Sequence, residues 1–433
     1  MLPSFLKRDS YFHQKPHSAG EIPIKILLVN SLYHPHFEGG AERIVQSLAE
    51  GLVKAGHQAV VVSTAPCRQP PALINGVTVY YLVVRNLYWG FGGNNPRLLK
   101  PLWHGLDTYN SLMAHQLGRI LDAECPSVVH TNNLAAFSVS VWHEVKMRNL
   151  ALVHTLMDYY LLCPRSMYKA TGNCEARCWP CAIYGFPRRR MSGLVDAVVG
   201  LSAFVLRRHE SFGYFARTPI RRIVHGGYKS CGVPPPQKQH AKPLRFGYLG
   251  RLHPSKGIEL LLRSLVNHAG KRWELWIAGK GSPEYETQLK EVCTLPEVRY
   301  MGFVRSEEFL ASVDVLVVPS VWDEPFGMVV IEAYTQGVPV IASCRGGLAE
   351  IIDNGKTGFL FDPNRALSLE DILGRVIAAP DVLSDMRDRV LEKAREFSLQ
   401  RMVDDYIEVY REVTGVAVRS SRFHGERPSN ETG

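Results

Sequence analysis

Residues 22–64 constrain the fold more than any other part of this chain. IKILLVN is a short, almost wholly apolar run, and a glycine-bearing loop, HPHFEGG, follows it. Ile44, Val45, Leu48 and Leu52 then fall on one face of a helix that Gly56 ends, and AVVVST begins a second apolar run. Strand, glycine loop, amphipathic helix and strand within about 40 residues form a βαβ unit. Such a unit makes its strands parallel and buries both faces of the sheet.

The alternation pauses at residues 232–236 (GVPPP) and the following QKQHAKP, which read as a linker, and then restarts. RFGYLG, WELWIAG, VRYMG, VDVLVVPS and PVIAS are the next strands, with amphipathic segments starting near Gly257, Pro283, Ser306, Phe326 and Gly346. Met402, Tyr406, Val409, Tyr410 and Val413 make a final helical stripe. The expected fold class is therefore α/β, with two Rossmann-like, doubly wound parallel-sheet domains facing across a cleft. The expected boundaries are a first domain at 22–230 with a cysteine-rich insertion at 163–181, a linker at 231–243 and a second domain at 244–396. A helix at 397–414 is expected to return to the first domain, with polar tails at 1–21 and 415–433.

With 433 residues, 46% of them hydrophobic, the chain is not a disordered, collagenous or disulfide-stapled one. Fifty Lys and Arg against 41 Asp and Glu leave a charge of +9, which asks for an acidic partner: nucleic acid, an anionic membrane surface or a phosphorylated substrate. The most apolar run, residues 194–206, is too short to span a bilayer and contains Asp196. The first residues lack the apolar core and cleavage site of a signal peptide, so a cytoplasmic location is expected.

Residues 324–333, EPFGMVVIEA, directly follow the strand VDVLVVPS. Glu324 then sits at the strand's C-terminal end, where open α/β sheets bind ligands. Phe326, Gly327, Met328 and Val329 open a helix whose free N–H groups can hold a phosphate, and Gly327 lets the backbone come close. Glu332, two turns in, is placed to accept from sugar or ribose hydroxyls. GRLHPSKG puts Arg251 and Lys256 in another loop on the same sheet edge. Two cations facing a helix N-terminus match a diphosphate.

These stretches, with GGAERIVQSLAEGLVKAGH, WIAGKG and GGLAEIIDNGKTGFLF, resemble the family 4 retaining glycosyltransferases of GT-B architecture. The resemblance implies that Arg251 and Lys256 hold the donor diphosphate, that Glu324 contacts the donor sugar and that Glu332 holds the ribose. It also implies that the amides of Phe326, Gly327, Met328 and Val329 surround the phosphates, and that Gly39 and Gly40 close over the donor. Catalysis is expected to need no metal or other cofactor, with a UDP- or GDP-sugar as donor substrate. One position departs from the pattern: where such proteins read HDYxLLCP, this chain reads MDYYLLCP, so Met157 replaces a histidine. His154, three residues upstream on a strand, is expected on the opposite face. Asp158 remains, either to handle the acceptor or to cap a helix.

Cys163, Cys174, Cys178 and Cys181 follow, spaced as for a structural zinc site or as reduced thiols. Eight arginines (188, 189, 190, 207, 208, 217, 221 and 222) lie close by against Asp196 and Glu210. They read either as solvated faces or as a docking surface for anionic lipid or a pyrophosphate-linked acceptor, and no nucleic-acid-binding signature accompanies them. The expected activity is transfer of a sugar to a glycan or lipid-linked acceptor, with peripheral contact at the inner membrane face. The alternatives are a silent nucleotide-sugar-binding subunit, which Met157 motivates, and a nucleotide-sugar epimerase.

Overall fold

A computed structural model of the protein describes residues 22–37, 39–91, 96–169, 172–229, 243–365 and 367–415. The expected tail at 1–21, all of the expected tail at 415–433 but its first residue, and the expected linker up to residue 242 lie outside the described residues.

Two sheets organise the chain. The first has the strand order Ile220–Ile223, Ala197–Gly200, Ala151–Leu156, Val128–Thr131, Lys25–Val29, Gln58–Ala65, Val77–Val83 and Ala72–Ile74. All neighbours are parallel except the last pair. The second has the order Val298–Gly302, Trp273–Ala278, Leu244–Leu249, Val315–Val318, Val340–Ser343 and Gly358–Phe361, all parallel. The strands are apolar runs because both of their faces are covered. Ile26 and Leu28 enter one core while Leu27 and Val29 enter another, as the two-residue strand period requires. The first of these cores continues into the second domain through Phe326, Val330 and Leu348.

The helix Leu399–Thr414 returns to the first domain and packs on the helix Gly40–Lys54 and the strand Ala151–Leu156. Its Met402, Tyr406, Val409 and Tyr410 are buried. Gly51 permits the crossing, because a Cβ there would overlap the Val403 side chain. A buried polar chain ties the helix to the sheet. The His130 ring bonds to the Tyr410 hydroxyl at 2.8 Å and to the Thr155 hydroxyl at 2.7 Å, and Thr155 also meets the Tyr406 hydroxyl at 3.0 Å. Burial drives the His130 pKa down to about 3, so the ring is neutral.

Among the described residues no helix is long and apolar enough to cross a membrane. The arginine-rich stretch does not form one cationic face. Arg188 is fully buried, Arg221 pairs with Glu210 at 2.9 Å and Arg222 with Glu412 at 2.7 Å. Arg207 reaches towards Glu350 at 3.7 Å, and Arg208 donates to the carbonyl of Cys174.

Candidate active site

The site forms where the loops after the strands of the two sheets meet. Strands Leu244–Leu249 and Val315–Val318 are parallel neighbours, so the loops that follow them leave the same edge. The first loop carries Arg251 and Lys256, and the second carries Ser320, Trp322 and Glu324. Lys256 Nζ lies 2.6 Å from Glu324 Oε1, and Ser320 Oγ donates to the same oxygen at 2.5 Å. The ammonium also stands over the Trp322 ring, 5.0 Å from its centre. Lys256 is aimed there by the next residue. Gly257 has φ +68, and a Cβ on it would stand 1.8 Å from the Pro319 carbonyl oxygen. Arg251 is exposed near Lys256, and burial, followed by these two charges, lowers the pKa of His253 between them.

Gly327, with φ +136, starts the helix Met328–Thr335, two residues later than the sequence pattern suggests. That Gly327 conformation lies outside the helical region, so the helix cannot begin before it. The Phe326 ring belongs to the core, 3% exposed and stacked on His225 at 5.4 Å. Gly40 of the first domain lies against the start of this helix: a Cβ on it would stand 3.4 Å from Met328 Cγ. The Gly39 N–H donates to Glu42 Oε2 at 2.9 Å, which fixes the loop at the head of the helix Gly40–Lys54. Glu332, one turn further along its own helix, faces Arg43 at 4.0 Å. Burial raises its pKa, while Arg43 and Ser306 act the other way. Phe37, Gly40, Arg43, Met328 and Glu332 line an interdomain groove of about 800 Å³.

Asp158 is half-buried just beyond the strand Ala151–Leu156, with its Oδ1 accepting from the Tyr160 N–H at 2.8 Å. Burial, and secondarily the charge of Glu42, raises its pKa to about 6 against the opposing effects of that N–H and of Arg188. Met157 is 7% exposed and packs in the core that joins the domains. His154 is buried on the other face of the strand, bonded to Thr131 at 2.9 Å and stacked on Phe215.

Several residues of the site have no sequence motif of their own. The segment from Ser320 to Gly327 is clamped from the first domain at four points. Tyr159 donates to the Asp323 carbonyl at 2.8 Å, and Ser202 to the Pro325 carbonyl at 2.6 Å. Asn173 bonds to both the Val321 carbonyl and the Asp323 N–H, and Trp322 Nε1 donates to the Ser166 carbonyl at 2.8 Å. Glu350 accepts from the N–H groups of Ala203 and Phe204 at 2.7 and 2.6 Å, capping the helix Ala203–Ser211 across the interface. Glu350 lies within GGLAEIIDNG, so a carboxylate beside the glycine pair was a visible signal.

Behind Asp158 lies a buried ion pair. Asp107 and Arg188 are both fully buried, 3.7 Å apart; the Tyr160 hydroxyl donates to Asp107 at 2.7 Å, and Arg188 donates to the Tyr160 carbonyl. The cysteines need a correction. Cys163 and Cys181 bring their sulfurs to 3.3 Å, and Cys178 sits beside Cys181, whose pKa burial and these thiols raise. Burial, with the thiols of Cys163 and Cys178, also raises the pKa of Cys174, and among the described residues no group of three or more His, Cys, Asp or Glu is placed to hold a metal ion. The expected four-thiolate zinc geometry is not formed.

Residues 38–226 match the model described as Glycosyltransferase Family 4, and residues 243–379 match Glycosyl transferases group 1. An uncharacterized 42.6 kDa protein in the cps region of Klebsiella pneumoniae is 32% identical over 76% of this chain and 87% of its own length. An uncharacterized glycosyltransferase of Methanocaldococcus jannaschii is 26% identical over 90% of this chain and 98% of its own. Sucrose-phosphate synthase from Thermosynechococcus elongatus shares the fold with a TM-score of 0.73 at 20% identity, covering 91% of this chain and all of that one. HepE of Anabaena, in its crystal structure with UDP-glucose, gives a TM-score of 0.66 at 18% identity over 90% of this chain and all of its own. Matched in both halves by glycosyltransferase models, and built as two parallel-sheet domains about a shared cleft, the chain belongs to the group 1 glycosyltransferases of GT-B architecture.

Proposed function

We infer that the cleft moves a sugar from a nucleoside diphosphate sugar, a UDP- or GDP-sugar, to a glycan or lipid-linked acceptor in cell-surface polysaccharide synthesis, with retention at the anomeric carbon. The pairing of Lys256 with Glu324, 2.6 Å apart at the head of the helix Met328–Thr335, carries this reading. Donor binding separates the pair: the diphosphate takes Lys256, and Glu324 is left to accept from the sugar hydroxyls. The HepE structure with UDP-glucose and the relative from a cps region support the donor class and the pathway type.

The acceptor oxygen bonds to the anomeric carbon as the bond from that carbon to the diphosphate oxygen breaks. The electron pair leaves with the diphosphate, and the acceptor proton passes to the departing phosphate oxygen. Attack and departure on one face preserve the configuration. Arg251, Lys256 and the amides of Phe326, Gly327, Met328 and Val329 stabilise the charge that develops on the diphosphate. Glu332 accepts from the ribose hydroxyls, Gly39 and Gly40 close over the donor, and Asp158 receives the acceptor. Two side-chain cations and a helix end supply the countercharge, so the proposed reaction has no divalent ion in it.

The test is a thermal-shift screen of nucleoside diphosphates and their sugars, followed by a transfer assay in EDTA with the product anomer assigned by NMR. Stabilisation by a UDP or GDP compound and a product of unchanged configuration are expected. Donor binding with neither transfer nor hydrolysis on any acceptor extract would instead support the silent-subunit reading, which the burial of Met157 favours.

Asp158 gives a pH prediction. Its carboxyl is raised to about 6, so it is a charged carboxylate, accepting with both oxygens and free to take a proton, only above that pH. Turnover is expected to climb as pH rises through about 6, and Asp158→Asn is expected to remove this limb of the profile. An unchanged limb in the variant assigns the titration to another group.

A further inference from the structure

Two neighbouring helices of the first domain turn apolar side chains to solvent. On Trp179–Met191, the residues Trp179, Ile183 and Phe186 are 76%, 59% and 59% exposed and recur at positions i, i+4 and i+7, with exposed Arg190 continuing the stripe. The opposite side of this helix is the buried one, carrying Cys181, Gly185 and Arg188. Beside it, Leu98 is 95% exposed and Leu102 is 56% exposed, the latter on the helix Lys100–Leu106. The Tyr184 hydroxyl donates to the Pro101 carbonyl at 3.2 Å, and the Tyr184 and His104 rings are 6.4 Å apart, which joins the two helices into one surface. A contiguous apolar area of this kind marks an interaction surface.

Its charge identifies the partner. Lys100, Arg165, Arg189 and Arg190 are exposed around the stripe, and with Arg188 the first two act on His104, whose pKa burial and these cations lower to about 4. Residues 96–112 and 179–191 contain a single carboxylate, Asp107, and it is buried. Tryptophan, phenylalanine and leucine side by side with exposed cations match the boundary between headgroups and acyl chains in an anionic bilayer.

We propose that the face formed by Lys100–Leu106 and Trp179–Met191 docks the enzyme on an anionic phospholipid bilayer, with Trp179, Ile183, Phe186 and Leu102 entering the interface and Lys100, Arg189 and Arg190 meeting the headgroups. The docked face is coupled to the cleft. Asp107 follows directly on the first helix and Arg188 lies in the second; both hold Tyr160, two residues from Asp158. An acceptor carried in the membrane would reach the site from this side. The surface lies outside the cleft, and its test reads membrane binding without turnover, so it stands or falls separately from the transfer reaction.

The test is flotation of the full chain with vesicles of phosphatidylcholine alone or mixed with phosphatidylglycerol. Binding to the mixed vesicles, weakened by high salt, is expected. The triple variant Trp179→Ser, Ile183→Ser, Phe186→Ser should bind at least ~10-fold more weakly, with an unchanged melting temperature as the check on folding. Arg189→Glu with Arg190→Glu keeps the apolar stripe and should also lose binding to anionic vesicles. Absence of the wild-type chain from the floating fraction, or equal flotation of both variants, overturns the proposal. A wild-type dimer by light scattering that the triple variant breaks into monomers also overturns it, by assigning the face to a second copy.

Discussion

Lys256→Ala is expected to lower kcat/KM for sugar transfer by at least ~100-fold, equivalent to about 2.7 kcal/mol of transition-state stabilisation. Glu324, the Trp322 ring and the Gly257 turn hold the ammonium, and its side chain is 24% exposed. Once the diphosphate has taken it from Glu324, a charge held in a partly dry site needs little further reorganisation, and it acts least on the bound substrate and most on the departing group. The loss should therefore fall mainly on kcat, with a smaller rise in KM. Arg251 is exposed, where solvent screens its charge, so Arg251→Ala should cost less. Glu324→Gln keeps the shape and one acceptor oxygen while removing the charge that pairs with Lys256, so its deficit should be intermediate. Steady-state kinetics of the three variants check the ranking; a Lys256→Ala enzyme within a few-fold of wild type would remove Lys256 from the proposed chemistry.

Gly257→Ala is expected to be a severely damaging single-methyl change near the site. At φ +68 an alanine is strained whatever surrounds it, and here the added Cβ would overlap the Pro319 carbonyl oxygen, a backbone atom that cannot swing aside. Relief requires moving the turn away from the strand end that carries Ser320 and Glu324. A loss of roughly 3 kcal/mol or more is expected, a fall in Tm of about 6–12 °C for a domain of this size. Gly270→Ala is the matched control. Its φ is +75, but no atom lies within 4 Å of the added methyl, so it should show the backbone strain alone, about 1 kcal/mol. Equal melting temperatures for the two variants would mean that the Pro319 contact is relieved at no cost.

The parts of this molecule that a sequence displays are those with a period or a fixed local spacing. Ile44, Val45, Leu48 and Leu52 are all buried as their helical spacing requires, and each apolar run of the second half became a strand of one parallel sheet. Glu324 and Lys256 could be brought together from their motifs because parallel neighbours share an edge. The helix start at Met328 was displaced because Gly327 takes a non-helical φ of +136, and no local rule distinguishes an aromatic residue that faces a ligand from one that, like Phe326, stacks on a distant histidine. The clamps from Tyr159, Asn173 and Ser202 were invisible for a related reason. They are single polar side chains meeting backbone atoms more than a hundred positions away, and they leave no pattern. Charge counting misled in the arginine-rich stretch, where Arg188 is buried against Asp107 and others are paired one by one. Four cysteines in one short segment likewise did not settle their own geometry.

The helix Leu399–Thr414 has a consequence for how the protein is made. Its tyrosines complete the interior of the first sheet through His130 and Thr155, yet it is translated after every strand of the second. The first domain therefore leaves the ribosome with an unfinished flank, and it waits for the last stretch of the described chain before it can close. Cotranslational folding here must end where it began, and a nascent chain stopped before Leu399 would present that flank to chaperones and proteases.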